Sequence, residues 1–226
     1  MPNNVRVAAE ANNGNEPRIT CTHDYLRQLD HVLRNVPHES ADAIADVLLR
    51  AYEEDRRIFL FGNGGSAALA SHFACDLAKG TVPGIRNGKR FCAMALTDNI
   101  AILTAWANDF SYDDIFAEPL KNFLEPEDVV FAISASGNSR NVIKALETAR
   151  KGRAFCVGLT GFNGGLMKSL CDLCLVVPSD NMQLIEDVHL SVAHALYSTI
   201  RYRLETGTIH TLTRSATAGR SERHSF

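Results

Sequence analysis

The chain has 226 residues, 46% of them hydrophobic and 22% charged, and its 23 basic and 26 acidic residues leave a net charge of -3. That balance argues against a surface built to neutralise a nucleic-acid backbone, and no apolar run reaches the roughly 20 residues that span a bilayer. The start, Met1-Pro2-Asn3-Asn4-Val5-Arg6, lacks the apolar core of a secretion signal, so a cytoplasmic protein is expected.

Residues 1–17 are rich in Asn, Gly and Pro without periodicity and read as a flexible lead. From Tyr25 to Glu53, apolar residues recur at helical intervals, with a break at Pro37-His38-Glu39-Ser40. Two helices are expected there, Ser40 capping the second. Strands are expected at Arg57–Phe61, Phe91–Leu96, Val129–Ser134, Phe155–Leu159 and Leu173–Val177, and helices at 66–79, 99–107, 139–151 and 183–204. Apolar strands that alternate with helices indicate a three-layer α/β domain over 18–206, its parallel sheet covered on both faces. The polar segment 207–226 reads as a disordered tail. Six cysteines are an even number, but so long and core-rich a chain needs no disulfide staples. Those in apolar runs, such as Cys92 and Cys156, read as small buried hydrophobes. Cys171-Asp172-Leu173-Cys174 has the spacing of a redox or metal pair, but with no second pair it reads first as structural.

Two strand-to-helix corners carry the chemistry. The first is Phe61-Gly62-Asn63-Gly64-Gly65-Ser66, and the second is Ile133-Ser134-Ala135-Ser136-Gly137-Asn138-Ser139. Glycines let the backbone turn tightly and approach a ligand, and the helix that follows offers free N–H groups to an anion. Ser134, Ser136 and Ser139 add hydroxyl donors suited to a single phosphate. Neither corner has the lysine of a triphosphate loop or the spacing of a dinucleotide site. A sugar phosphate fits better than a nucleotide. Both corners lie at the carboxyl ends of strands, where open α/β sheets bind ligands.

His72 and Asp76 are four residues apart and share a helix face. Glu186, Asp187, His189 and His194 lie on the last long helix. Imidazoles with carboxylates suit a zinc-type site and general acid–base work alike, and they also suit an ordinary polar face with acids at a helix start. Across an unbroken helix, Glu186 and His194 are about 12 Å apart along the axis and about 80° apart around it. They share one ion only if Glu186 sits in a bent entrance.

The motif Phe61-Gly62-Asn63-Gly64-Gly65-Ser66…Ser71-His72-Phe73-Ala74-Cys75-Asp76-Leu77 and the motif Ile133–Ser139…Asn141-Val142 resemble the sugar isomerase (SIS) domain, more narrowly the phosphoheptose isomerase family. Leu96-Thr97-Asp98, Ala107-Asn108-Asp109-Phe110…Asp114-Ile115-Phe116 and Glu186-Asp187-Val188-His189…His194 continue the likeness in order, over about residues 25–204. The resemblance implies a five-stranded parallel sheet and a homotetramer with sites at subunit interfaces. It implies isomerisation of sedoheptulose 7-phosphate to D-glycero-D-manno-heptose 7-phosphate through an enediol, often with zinc. Asn63, Gly64, Gly65, Ser66, Asn108, Asp109 and Glu186 would touch substrate, and Ser134, Ala135, Ser136 and Ser139 would hold its phosphate. His72, Asp76, Glu186 and His194 would form the metal set, with Asp76 the base and His194 its partner acid. Asp76 stands in place of a usual Glu, Glu186 of a usual Gln and Ala135 of a usual Thr. The alternatives are an isomerase of a shorter sugar phosphate and a non-catalytic SIS protein of the kind that associates with the replication initiator.

Overall fold

The computed structural model describes residues 18–81 and 88–208. The expected lead at 1–17, and the tail from residue 209 onward, lie outside the described residues. In chain order the elements are α1 (Thr22–Arg34), α2 (His38–Glu53), β1 (Arg57–Gly62), α3 (Gly65–Cys75), β2 (Cys92–Ala95), α4 (Ile100–Asp109), α5 (Ala117–Lys121), β3 (Val129–Ile133), α6 (Arg140–Lys151), β4 (Phe155–Thr160), α7 (Met167–Leu170), β5 (Leu173–Val176) and α8 (Met182–Thr206). Among the described residues, no helix is long and apolar enough to cross a membrane.

The five strands form one parallel sheet in the order β2-β1-β3-β4-β5. Side chains of a strand point alternately to its two faces, and the sheet fills both with apolar groups. Ile58, Leu60, Phe131, Ile133, Val157 and Leu159 pack on one side against α2, α3 and α8, through residues such as Leu48, Phe73 and Val188. Phe59, Phe61, Val130, Ala132 and Cys156 pack on the other against α5, α6 and α7, through Leu120, Val142 and Met167. The expected three-layer fold is the observed one. Truncating a fully buried ring such as Phe131 costs about 3–5 kcal/mol.

Local readings shift in three places. Pro37, with φ -72°, stands at the N-cap of α2, so Ser40 lies inside the helix and caps nothing. The third helix is α-helical only to Cys75 and then runs through a π-helical turn, Asp76–Gly80. Cys92 is exposed, not buried, because β2 is an edge strand whose Cys92 and Met94 side chains are left uncovered by the described residues. The short helices α5 and α7 were not legible, since one helical turn carries no periodicity.

The strand order also sets where a ligand can enter. From β1 the chain crosses to β2 on one side, then returns past β1 to build β3, β4 and β5 on the other. The loops leaving β1 and β3 therefore diverge to helices on opposite faces, α3 on one and α6 on the other. A crevice opens between them at the carboxyl end of the sheet, the usual ligand position of an open α/β fold.

Candidate active site

The first corner follows β1. Gly64 takes φ +55° at the N-cap of α3, a conformation open mainly to glycine, and turns the chain into a helix that starts at Gly65, one residue before Ser66. Ser66 is buried. The side chain of Asn63 faces the second corner. Its Nδ2 donates to Asn141 Oδ1 at 2.9 Å, Asn141 Nδ2 donates to Asn63 Oδ1 at 2.8 Å, and the Tyr112 hydroxyl donates to the same Asn63 oxygen at 3.1 Å. Asn141 and Tyr112 were not singled out from the sequence. Asn141 stood in the quoted motif, but only as a residue of the following helix.

The second corner is held from behind by the loop after β4. Gly161 N–H and the Thr160 hydroxyl both donate to the Ala135 carbonyl, at 2.8 and 3.2 Å. Leu166 N–H donates to Asn138 Oδ1 at 3.0 Å, and Met167 N–H to the Gly137 carbonyl at 3.0 Å. Gly137 has φ +63°, and a Cβ there would sit 2.2 Å from the Gly164 carbonyl oxygen. Within the corner, the hydroxyls of Ser134 and Ser139 are 3.4 Å apart, and the Ser136 hydroxyl accepts from Asn138 N–H. The result is a small, backbone-braced loop with three serine hydroxyls ahead of α6.

Between α3 and α8 lies the ionisable set. His72 Nε2 is 2.9 Å from His194 Nε2, and the same His72 nitrogen is 3.3 Å from Asp76 Oδ2. Asp76 Oδ2 is buried and has no hydrogen-bond partner among the described residues. The ligand-capable atoms of His72, Asp76 and His194 all lie within 4.8 Å of one another. Tetrahedral zinc with bonds of about 2.0–2.1 Å separates its ligands by roughly 3.3 Å, so this donor set has the spacing and the chemistry for such an ion. Two imidazole nitrogens face to face beside an unsatisfied carboxylate oxygen are what that fit requires. Asp76 also opens the π-helical turn, a form rare in helices and recurrent at functional sites.

Glu186, expected in the same set, is not among the three residues whose ligand-capable atoms lie within 4.8 Å of one another. The helix α8 is unbroken from Met182 onward, so Glu186 and His194 stay two turns apart. The Glu186 carboxylate lies instead over Gly65, where a Cβ would come within 3.0 Å of its Oε2. Gly65, Ser66, His72, Glu186 and His189 line one cavity of about 320 Å³ between the two helices. His189 is buried and sits apart from the donor set. Its Nε2 donates to the Thr160 carbonyl at 3.2 Å, and burial pushes its pKa down to about 4, so it is neutral. Asp187 accepts from the Tyr25 hydroxyl at 2.6 Å, and the Tyr25 hydroxyl is pushed up to about 12 by its own burial and by that bond. Asn108 and Asp109 are bonded to each other at 2.8 Å at the exposed end of α4.

Comparisons with known proteins identify the family. The SIS domain family matches residues 24–161. The phosphoheptose isomerase of Bradyrhizobium sp. is 40% identical over 167 residues, 73% of this chain and 82% of that protein. That of Mycobacterium tuberculosis is 40% identical over 166 residues, 74% of this chain and 83% of that protein. The solved phosphoheptose isomerase of Neisseria gonorrhoeae superposes with a TM-score of 0.73 at 29% identity, over 80% of this chain and 97% of that one. The chain belongs to the SIS domain family and, within it, to the phosphoheptose isomerases.

Proposed function

We propose that the protein is an aldose–ketose isomerase acting on sedoheptulose 7-phosphate to give D-glycero-D-manno-heptose 7-phosphate, in the cytoplasm. The observation that carries the reading is the convergence of His72, Asp76 and His194, with His72 lining the same cavity as Gly65 and Ser66 of the first corner. Binding begins with the phosphate, whose oxygens take hydrogen bonds from Ser134, Ser136 and Ser139 and from the start of α6. With that end anchored, the reacting carbons are confined near α3, which converts a bimolecular encounter into an intramolecular one. The Asp76 carboxylate takes the proton from the carbon beside the carbonyl, and His194 supplies a proton to the carbonyl oxygen. The enediol then collapses in the opposite sense, with the proton returned to the neighbouring carbon. His72, in contact with both partners, sets their orientation. Glu186, over Gly65, is placed to accept from a sugar hydroxyl.

A divalent ion, zinc by the chemistry of its donors, would be held by His72 Nε2, His194 Nε2 and Asp76 Oδ2, which leaves the other Asp76 oxygen to accept a proton and the His194 Nδ1–H to give one; such an ion would supply Lewis-acid polarisation of the substrate oxygens. We also propose a homotetramer with sites at subunit interfaces. Supporting this, no residue of α4 is buried in the single chain although its sequence is IAILTAWAND, Ile100 is 71% exposed, and the neighbouring face of β2 shows Cys92 and Met94. A non-catalytic role is not favoured, since a binding module has no need of two imidazoles and a carboxylate in contact. The test is a coupled assay on sedoheptulose 7-phosphate beside hexulose and pentulose phosphates, with and without chelator. Turnover of the heptulose phosphate that is lost to chelator and restored by zinc is expected. Absence of turnover on every phosphosugar, with metal loaded, overturns the reading.

A further inference from the structure

The two corners are joined by a side-chain pair that needs a reason. Asn141 is only 2% exposed, and burying a carboxamide is unfavourable unless its hydrogen-bonding groups are satisfied. Its Oδ1 accepts from Val142 N–H at 2.9 Å and from Asn63 Nδ2 at 2.9 Å, while its Nδ2 donates to Asn63 Oδ1 at 2.8 Å. The Val142 N–H can only donate, so it fixes which end of the Asn141 amide is oxygen, and the reciprocal pair then fixes the Asn63 amide as well. Asn63 Oδ1 accepts from both Asn141 and Tyr112, which uses both of its lone pairs. What Asn63 has left for a ligand is one N–H.

We infer that Asn141, aided by Tyr112, is a positioning residue: its buried amide clamps Asn63 across the crevice between β1 and β3, setting the first corner at a fixed distance from the phosphate corner and presenting Asn63 as a donor only. The inference rests on the proposed isomerase reading for what the two corners hold. A displacement of about 1 Å between anchored phosphate and reacting carbons can cost on the order of a hundredfold in rate. Loss of the clamp therefore falls on kcat, because the serine corner has its own braces from Thr160, Gly161, Leu166 and Met167.

The test compares the parent with Asn141→Ala, Asn141→Asp, Tyr112→Phe and the Asn141→Ala/Tyr112→Phe double variant. Asn141→Asp keeps the acceptor for Val142 N–H and loses the donor to Asn63, which guards against a folding failure of the alanine variant. Expected are a kcat about ten- to a hundredfold lower for either Asn141 variant and an inhibition constant for inorganic phosphate within about threefold of the parent. Because both side chains act through one oxygen, the double variant should lose less than the product of the single losses. Backbone hydrogen exchange across residues 61–66 should speed up in both Asn141 variants. A kcat within threefold of the parent, a phosphate constant that worsens in step with kcat, or unchanged exchange at 61–66 overturns the clamp. If the parent turns over no phosphosugar, the isomerase reading falls, and exchange at 61–66 alone decides the clamp.

Discussion

Replacing Asp76 by Asn removes a proton acceptor while leaving shape nearly unchanged. Positioned general bases contribute about 10²–10⁴ in rate, so the barrier should rise by about 3–5 kcal/mol. Folding should barely respond. Asp76 Oδ2 makes no hydrogen bond among the described residues, and its ion pair with His72 joins side chains that are 21% and 50% exposed. Pairs this open to water contribute about 1 kcal/mol or less, which in a chain of this size moves Tm by a few degrees. The assay is the coupled isomerase rate together with washout of deuterium from the substrate carbon beside the carbonyl. Inhibition by inorganic phosphate serves as the binding control, and metal content by mass spectrometry separates loss of the base from loss of an ion. Asp76→Glu keeps a carboxylate on a longer arm and should retain activity within about tenfold of the parent, a second control. An Asp76→Asn protein that turns over and exchanges deuterium within tenfold of the parent refutes Asp76 as the base.

Gly137→Ala should weaken inorganic phosphate and substrate by tenfold or more, because the left-handed φ alone costs about 1–2 kcal/mol and the new methyl must displace the Gly164 carbonyl. Equal affinity in a titration calorimeter would count against that corner as the phosphate site. His189 is protonated near pH 6.5 in the unfolded chain but only near pH 4 in the folded one, so stability falls as pH drops through that window, by up to about 3 kcal/mol. A His189→Gln protein should show a flatter acid limb in a Tm series from pH 7 to 4, and an unchanged slope refutes the buried neutral imidazole. Ile100→Asp places a charge on the uncovered face of α4 and should yield a smaller species by light scattering with reduced turnover. Retention of the parent's mass argues that this face is free in the assembly.

The layers of the fold could be read from the chain because each strand is a short apolar run and each long helix has a periodic face. Ile58 through Phe61 are apolar at every position since both faces of β1 are covered, and that pattern identifies a parallel sheet before its partners are known. The spacing of His72 and Asp76 likewise predicts one helix face, because local geometry fixes it. Other features depend on contacts between residues far apart in sequence. The approach of His194 to His72 spans 122 residues and needs α8 laid against α3, and no periodicity encodes that pairing. The same holds for Asn63 and Asn141, 78 residues apart, which meet only because β1 and β3 are neighbours in a sheet whose order is not the chain order. Glu186 shows the converse. Its residue type suited a metal ligand, but its carboxylate packs over Gly65, outside the cluster of His72, Asp76 and His194. Short-range regularities follow from bond geometry and burial within a few residues, whereas a site assembled across the sheet follows from strand order and helix docking, which are properties of the packed whole.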